Sequence, residues 1–79
     1  MDEAAIFAVV RQNVLAVLPE VDPDAITPDR TLTELGANSI DRADVTALSM
    51  DDLGVAVPVT AFAGVASIGD LVQVIRRHA

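Results

Sequence analysis

A small all-α bundle is the fold this sequence predicts, on three observations. Apolar residues recur at spacings of three and four in three separate stretches. Residues that open or stop helices bracket each of those stretches. The one alternating run, VAVP at residues 55–58, is too short for a strand and has no partner run elsewhere. The expectation is three main helices plus one short helix, with a long first loop, in a single domain spanning residues 1–79.

The first helix is expected over residues 2–18. Ile6, Val9, Val10, Val14, Val17 and Leu18 share one face, and Arg11 and Gln12 hold the other. Asp2 and Glu3 lie in the first turn, where the positive end of a helix favours acids, and Pro19 stops it. Residues 19–38, PEVDPDAITPDRTLTELGAN, are too long for a structureless connection in a compact domain. Part of that segment must pack, with Val21, Ile26 and Leu32 as anchors. Thr31-x-x-Glu34 fits a capping box for one short turn, and Leu35-Gly36 re-enters the core and turns.

The second helix is expected over residues 39–53. Ile40, Ala43, Ala47 and Met50 form one stripe, widened by Val45 and Leu48. Asp41, Asp44, Asp51 and Asp52 project at other angles, with Arg42 among them. Gly54 is a left-handed stop. Residues 55–58 then read as an extended connector. Thr60 is expected to cap a short third helix that Gly64 ends. Ser67-x-x-Asp70 opens the last helix with a capping pattern. Ile68, Leu71, Val72 and Ile75 lie on one face of it, and Arg76, Arg77 and His78 sit at its negative end.

Composition narrows the function. Twelve acids against five basic residues, all arginine, give a formal charge of −7. Such a chain is repelled by phosphate backbones and anionic lipid, so neither nucleic acid nor membrane is an expected partner. Partners with basic docking surfaces are. There is no cysteine, hence no disulfide framework and no thiolate metal site. The acids lack the spacing of a calcium-binding loop. No signal-peptide pattern and no membrane-length apolar run are present, so a cytoplasmic, monomeric protein is the expectation. A methionine opening directly onto the first helix favours a discrete protein over a domain of a larger synthase. Catalysis needs a constellation of groups, and the only histidine is His78, flanked by arginines at the far end.

Ser39 is the residue with chemistry to explain. At a helix start its hydroxyl faces amides that lack partners, where a phosphate would be stabilised. Read from local chemistry alone, two possibilities stand. Either Asn38 or Ser39 simply caps the helix, or Ser39 is an attachment point for a phosphodiester.

Taken together, the segments resemble an acyl carrier protein, the phosphopantetheine-bearing domain of fatty-acid and polyketide synthesis. The resemblance covers nearly the whole chain. Its most specific part is Leu35-Gly36-Ala37-Asn38-Ser39-Ile40-Asp41, supported by Val57-Pro58 downstream. It implies that Ser39 receives a 4′-phosphopantetheine arm from coenzyme A through a phosphopantetheinyl transferase. The arm's thiol then holds acyl groups as thioesters, so the protein is a non-catalytic carrier. One departure stands out: Asn38 occupies a position where the family usually has aspartate. The stretch from Gly36 to Asp44, GANSIDRAD, is similar to free-standing carriers of polyketide β-branching cassettes. In those systems malonate is loaded by an acyltransferase and decarboxylated by a ketosynthase-like protein. A 3-hydroxy-3-methylglutaryl synthase homologue then adds the acetyl group to a β-keto intermediate on another carrier.

The resemblance places partner docking on Asn38, Ile40, Asp41, Arg42, Asp44 and Val45. Asp41 and Asp44 are three apart and share a face. Arg42 is read either as an exposed helical arginine or as a specificity element. In the second case it rejects generic basic partners and pairs with an acid on its own partner. Ile40, Ala43 and Ala47, with Phe62, Ile68 and Leu71, form either plain core or a shallow cleft for the acyl chain. Three alternatives remain to the polyketide reading: a fatty-acid-type carrier, a peptidyl carrier, and an unmodified acidic helical module whose Ser39 is only a cap.

Overall fold

The computed structural model describes all 79 residues. It has three α-helices, α1 (Glu3–Val17), α2 (Ser39–Leu53) and α3 (Ile68–His78), with 3₁₀ turns at Pro23–Ala25 and Val59–Phe62. This is the predicted all-α bundle, and local chemistry accounts for the helix ends. Asp2 caps α1 from outside, its Oδ1 accepting from the Ala4 amide at 3.2 Å. Leu18 closes the other end, just before Pro19, by donating to the Val14 carbonyl at 2.7 Å. Gly54 ends α2 at φ 65°, in the left-handed region that favours glycine. At the start of α3, Ser67 Oγ accepts from the Asp70 amide, and Asp70 Oδ2 accepts from the Ser67 amide. No helix is long and apolar enough to cross a membrane.

The core joins Ile6, Val10 and Val14 of α1, Val45 of α2, and Ile68, Leu71, Val72 and Ile75 of α3. The long first loop contributes Ile26, Leu32 and Ala37 to the same core, while Val21 packs at its margin. So the loop is a built part of the domain. Its Pro28 and Arg30 carbonyls accept from the Gly69 and Ile68 amides at 2.8 and 2.9 Å, satisfying donors at the start of α3. A side chain on Gly69 would place its Cβ 3.0 Å from the Pro28 carbonyl oxygen, so a larger residue would push the two segments apart by a few tenths of an ångström. The predicted Thr31–Glu34 box forms, each residue's amide donating to the other's side chain at 3.0 Å, and it stabilises a turn.

Two expectations are corrected. Thr60 does not cap the third helix: that element is a single 3₁₀ turn beginning at Val59, preceded by Pro58 and without a side-chain cap. Val59 and Thr60 are exposed, so water can satisfy the first amides of this turn. The second correction concerns which face of α2 points inward. Val45 and Ser49 are fully buried, while Ala43 and Ala47 are exposed. Ser49 can be buried because its Oγ donates to the Val45 carbonyl at 2.7 Å and accepts from Asn13 Nδ2 at 3.2 Å. Asn13, itself buried on α1, also donates to Asp52 Oδ2 at 3.1 Å. With every polar atom satisfied, this contact costs little to bury.

Candidate functional site

Four consecutive residues carry the chain from the loop to the start of α2, each with a separate job. Gly36 reverses the chain at φ 97°. Ala37 is buried, and its amide donates to the Leu32 carbonyl at 3.0 Å, which pins the turn to the core. Asn38 is the cap: its Oδ1 accepts from the Asp41 amide at 2.8 Å, and Asp41 Oδ2 accepts from the Asn38 amide at 3.1 Å. Ser39 then occupies the first helical position, exposed.

This resolves which residue caps the helix. Asn38 does, so the Ser39 hydroxyl has no structural duty. Its one side-chain contact is with Arg42, whose Nη2 donates to Ser39 Oγ at 3.4 Å, a long hydrogen bond. No general base stands within hydrogen-bonding reach. His78 Nδ1 lies instead 2.9 Å from the Val74 carbonyl of its own helix. Ser39 is therefore accessible but not activated by its own chain.

Beside it, a cleft of about 400 Å³ opens between α2, the second 3₁₀ turn and the start of α3. Ala43, Ala47, Phe62 and Leu71 line it, as one of the two readings of those residues expects, and Met50, Thr46, Val59 and Val65 are among the other residues of its wall. Ile68 does not belong to it, being wholly buried in the core, and neither does Ile40, which is 72% exposed beside Ser39. Thr46, Met50, Val59 and Val65 were not read from the sequence as cleft residues. Thr46 is three residues after Ala43, so helical spacing alone could have pointed to it. Arg42 stands among the lining residues, linking the cleft to Ser39.

Of the residues assigned to docking, Asn38, Ile40, Arg42 and Asp44 are exposed around Ser39. Asp41 is half-buried, with its carboxylate turned back into the capping box. Val45 is a correction: it is fully buried against α1 and offers no surface to a partner.

Comparison with known proteins agrees with this geometry. The family model for the phosphopantetheine attachment site matches residues 8–75. The chain is 40% identical over 75 residues to the polyketide biosynthesis acyl-carrier-protein AcpK of Bacillus subtilis (strain 168), covering 95% of this chain and 92% of that one. It also superposes, with a TM-score of 0.84 and 26% identity, on a chain from the crystal structure of the curacin biosynthetic pathway HMG synthase in complex with acetyl donor-ACP. That match covers 94% of this chain and 95% of the other.

Proposed function

The chain belongs to the phosphopantetheine-attachment family of acyl carriers, non-catalytic domains bearing a phosphopantetheine group, and from that premise we propose that Ser39 bears the group and that the protein serves polyketide β-branching. One observation carries the assignment of Ser39. Asn38 takes over the capping of α2, leaving Ser39 exposed and its hydroxyl free to become an ester.

The chain's own residues prepare that hydroxyl in three ways. Ala37 and Gly36 hold the turn in place, so that Ser39 is presented on a rigid helix end. The unpartnered first amides of α2 favour negative charge on Oγ. Arg42 adds a cation on the cleft side. In the attachment reaction Ser39 Oγ forms the bond to the pantetheine-side phosphorus of coenzyme A. The diphosphate linkage breaks, adenosine 3′,5′-bisphosphate leaves, and the hydroxyl proton passes to a base on the transferase, since this chain supplies none. The group's thiol supplies the thioester linkage to the cargo.

The finer reading is that of an acetyl donor. The cargo arrives as malonyl, loses carbon dioxide on a ketosynthase-like partner, and is delivered to a 3-hydroxy-3-methylglutaryl synthase homologue. Its support is the likeness to a chain from the HMG synthase complex with acetyl donor-ACP, while the likeness to AcpK supports the polyketide setting. A cytoplasmic setting, where coenzyme A is available, is part of the same reading.

The test is intact mass. After incubation with coenzyme A and a broad-specificity phosphopantetheinyl transferase, the chain gains one phosphopantetheine and Ser39→Ala gains none. The loaded form then accepts malonyl, and the acetyl thioester is consumed by a β-branching synthase with a β-keto acceptor carrier. A folded chain that gains no mass returns the case to an unmodified interaction module. A loaded chain whose acetyl group that synthase ignores leaves the carrier standing and removes the donor role.

A further inference from the structure

We propose that Arg42 is the counter-ion of the arm's phosphodiester within this same chain, holding the root of the arm on the cleft side of α2. The proposal rests on the attachment at Ser39 argued above.

Three observations carry it. First, the Arg42 guanidinium already touches Ser39 Oγ at 3.4 Å. In the esterified residue, phosphorus lies one bond beyond Oγ and its charged oxygens two bonds beyond. They fall within reach of a planar fork of donors suited to phosphate.

Second, Arg42 has no carboxylate within 4.0 Å, although the chain carries a formal charge of −7. Arg30 and Arg76 are paired with Glu34 and Glu3 at 3.9 and 3.8 Å, Arg11 donates to the Pro23 carbonyl, and the charge of Arg77 bears on Asp70. The acids nearest in sequence do not compete. Asp41 has an oxygen engaged by the Asn38 amide, and Asp44, two positions along α2, does not face Arg42.

Third, Arg42 also lines the cleft. A phosphate paired with it is drawn toward the wall of Ala43, Thr46 and Ala47. Arg42 is the one arginine whose contact with Ser39 Oγ is seen, in a chain of formal charge −7.

The experiment uses the loaded chain, with loading verified by mass. The Arg42 side-chain Nε–Hε resonance is compared before and after loading, and the ³¹P relaxation of the arm is compared between the parent, Arg42→Gln and Arg42→Lys. Arg42 is exposed, so neither variant disturbs the core. The expected result is a shift of the Arg42 resonance on loading. The paired population in Arg42→Gln should fall roughly two- to fivefold, the span of exposed ion pairs, with Arg42→Lys between. The difference should shrink as salt rises. Full loading with an unmoved Arg42 resonance, and equal ³¹P relaxation in the parent and Arg42→Gln at low salt, overturns this proposal alone. A chain that gains no mass overturns the attachment reading and this proposal with it.

Discussion

The two sides of α2 are built on opposite terms. Toward α1, Val45 and Ser49 are fully buried, and the Asn13–Ser49–Asp52 hydrogen bonds lock the two helices in register. Toward the second 3₁₀ turn, the small side chains of Ala43 and Ala47 leave a cleft of about 400 Å³. The helix that presents Ser39 is thus clamped along one edge and open along the other. Firm positioning and free access are assigned to different faces, so substitutions should affect stability and surface chemistry separately.

Four measurements test that contrast. Val45→Ala removes two methyl groups from a sealed position and should lower unfolding free energy by about 2 kcal/mol in urea denaturation. Asn13→Ala should cost about 1 kcal/mol by stranding the Ser49 oxygen without its donor. Combined with Ser49→Ala, it should fall short of additivity by about 0.5 kcal/mol or more, the mark of a shared contact. Ala47→Leu, on the open face, should change stability by less than about 0.5 kcal/mol, because the cleft has room for it. A cost as large as that of Val45→Ala would mean that this face is packed after all.

The smallest effect is one of pH. The Ser67 and Ala66 amides donate to Asp70 and hold its carboxyl below the usual range. Between its folded and unfolded pKa values the unfolded chain binds more protons. The contribution is therefore complete above the unfolded value, about 3.9, and is lost as pH falls through the depressed folded one. Asp70→Asn should therefore lower stability near neutrality, where the ionised carboxyl contributes, and flatten the acid limb so that parent and variant converge at low pH.

What was legible in the sequence is what depends on near neighbours. Pro19, Gly54, the Thr31–Glu34 box and the Ser67–Asp70 box each act within a few residues, and each appears where the sequence predicts it. The position of Ser39 at the start of α2 was legible for the same reason. The inward face of α2 was not. Ser49 looks like a surface residue until Asn13, thirty-six positions earlier, is seen to satisfy it. A stripe of Ile40, Ala43, Ala47 and Met50 looks like core until the space opposite it proves to be a cleft. Val45, assigned to docking from the resemblance, belongs to the buried face instead. Arg42's contact with Ser39 lies between, since a separation of three on a helix allows it without requiring it.

The clasp between the loop carbonyls of Pro28 and Arg30 and the first amides of α3 has a kinetic consequence. Each helix can flicker into place within microseconds, since its bonds are local. The clasp joins residues half a chain apart, and closing such a loop carries an entropy cost before any contact repays it. Its closure is therefore expected to follow helix formation, as are the still longer-range contacts between α1 and α3. The loop that carries Leu32 into the cleft wall is thus seated by contacts with α3, while the turn that presents Ser39 is held by bonds within its own neighbourhood.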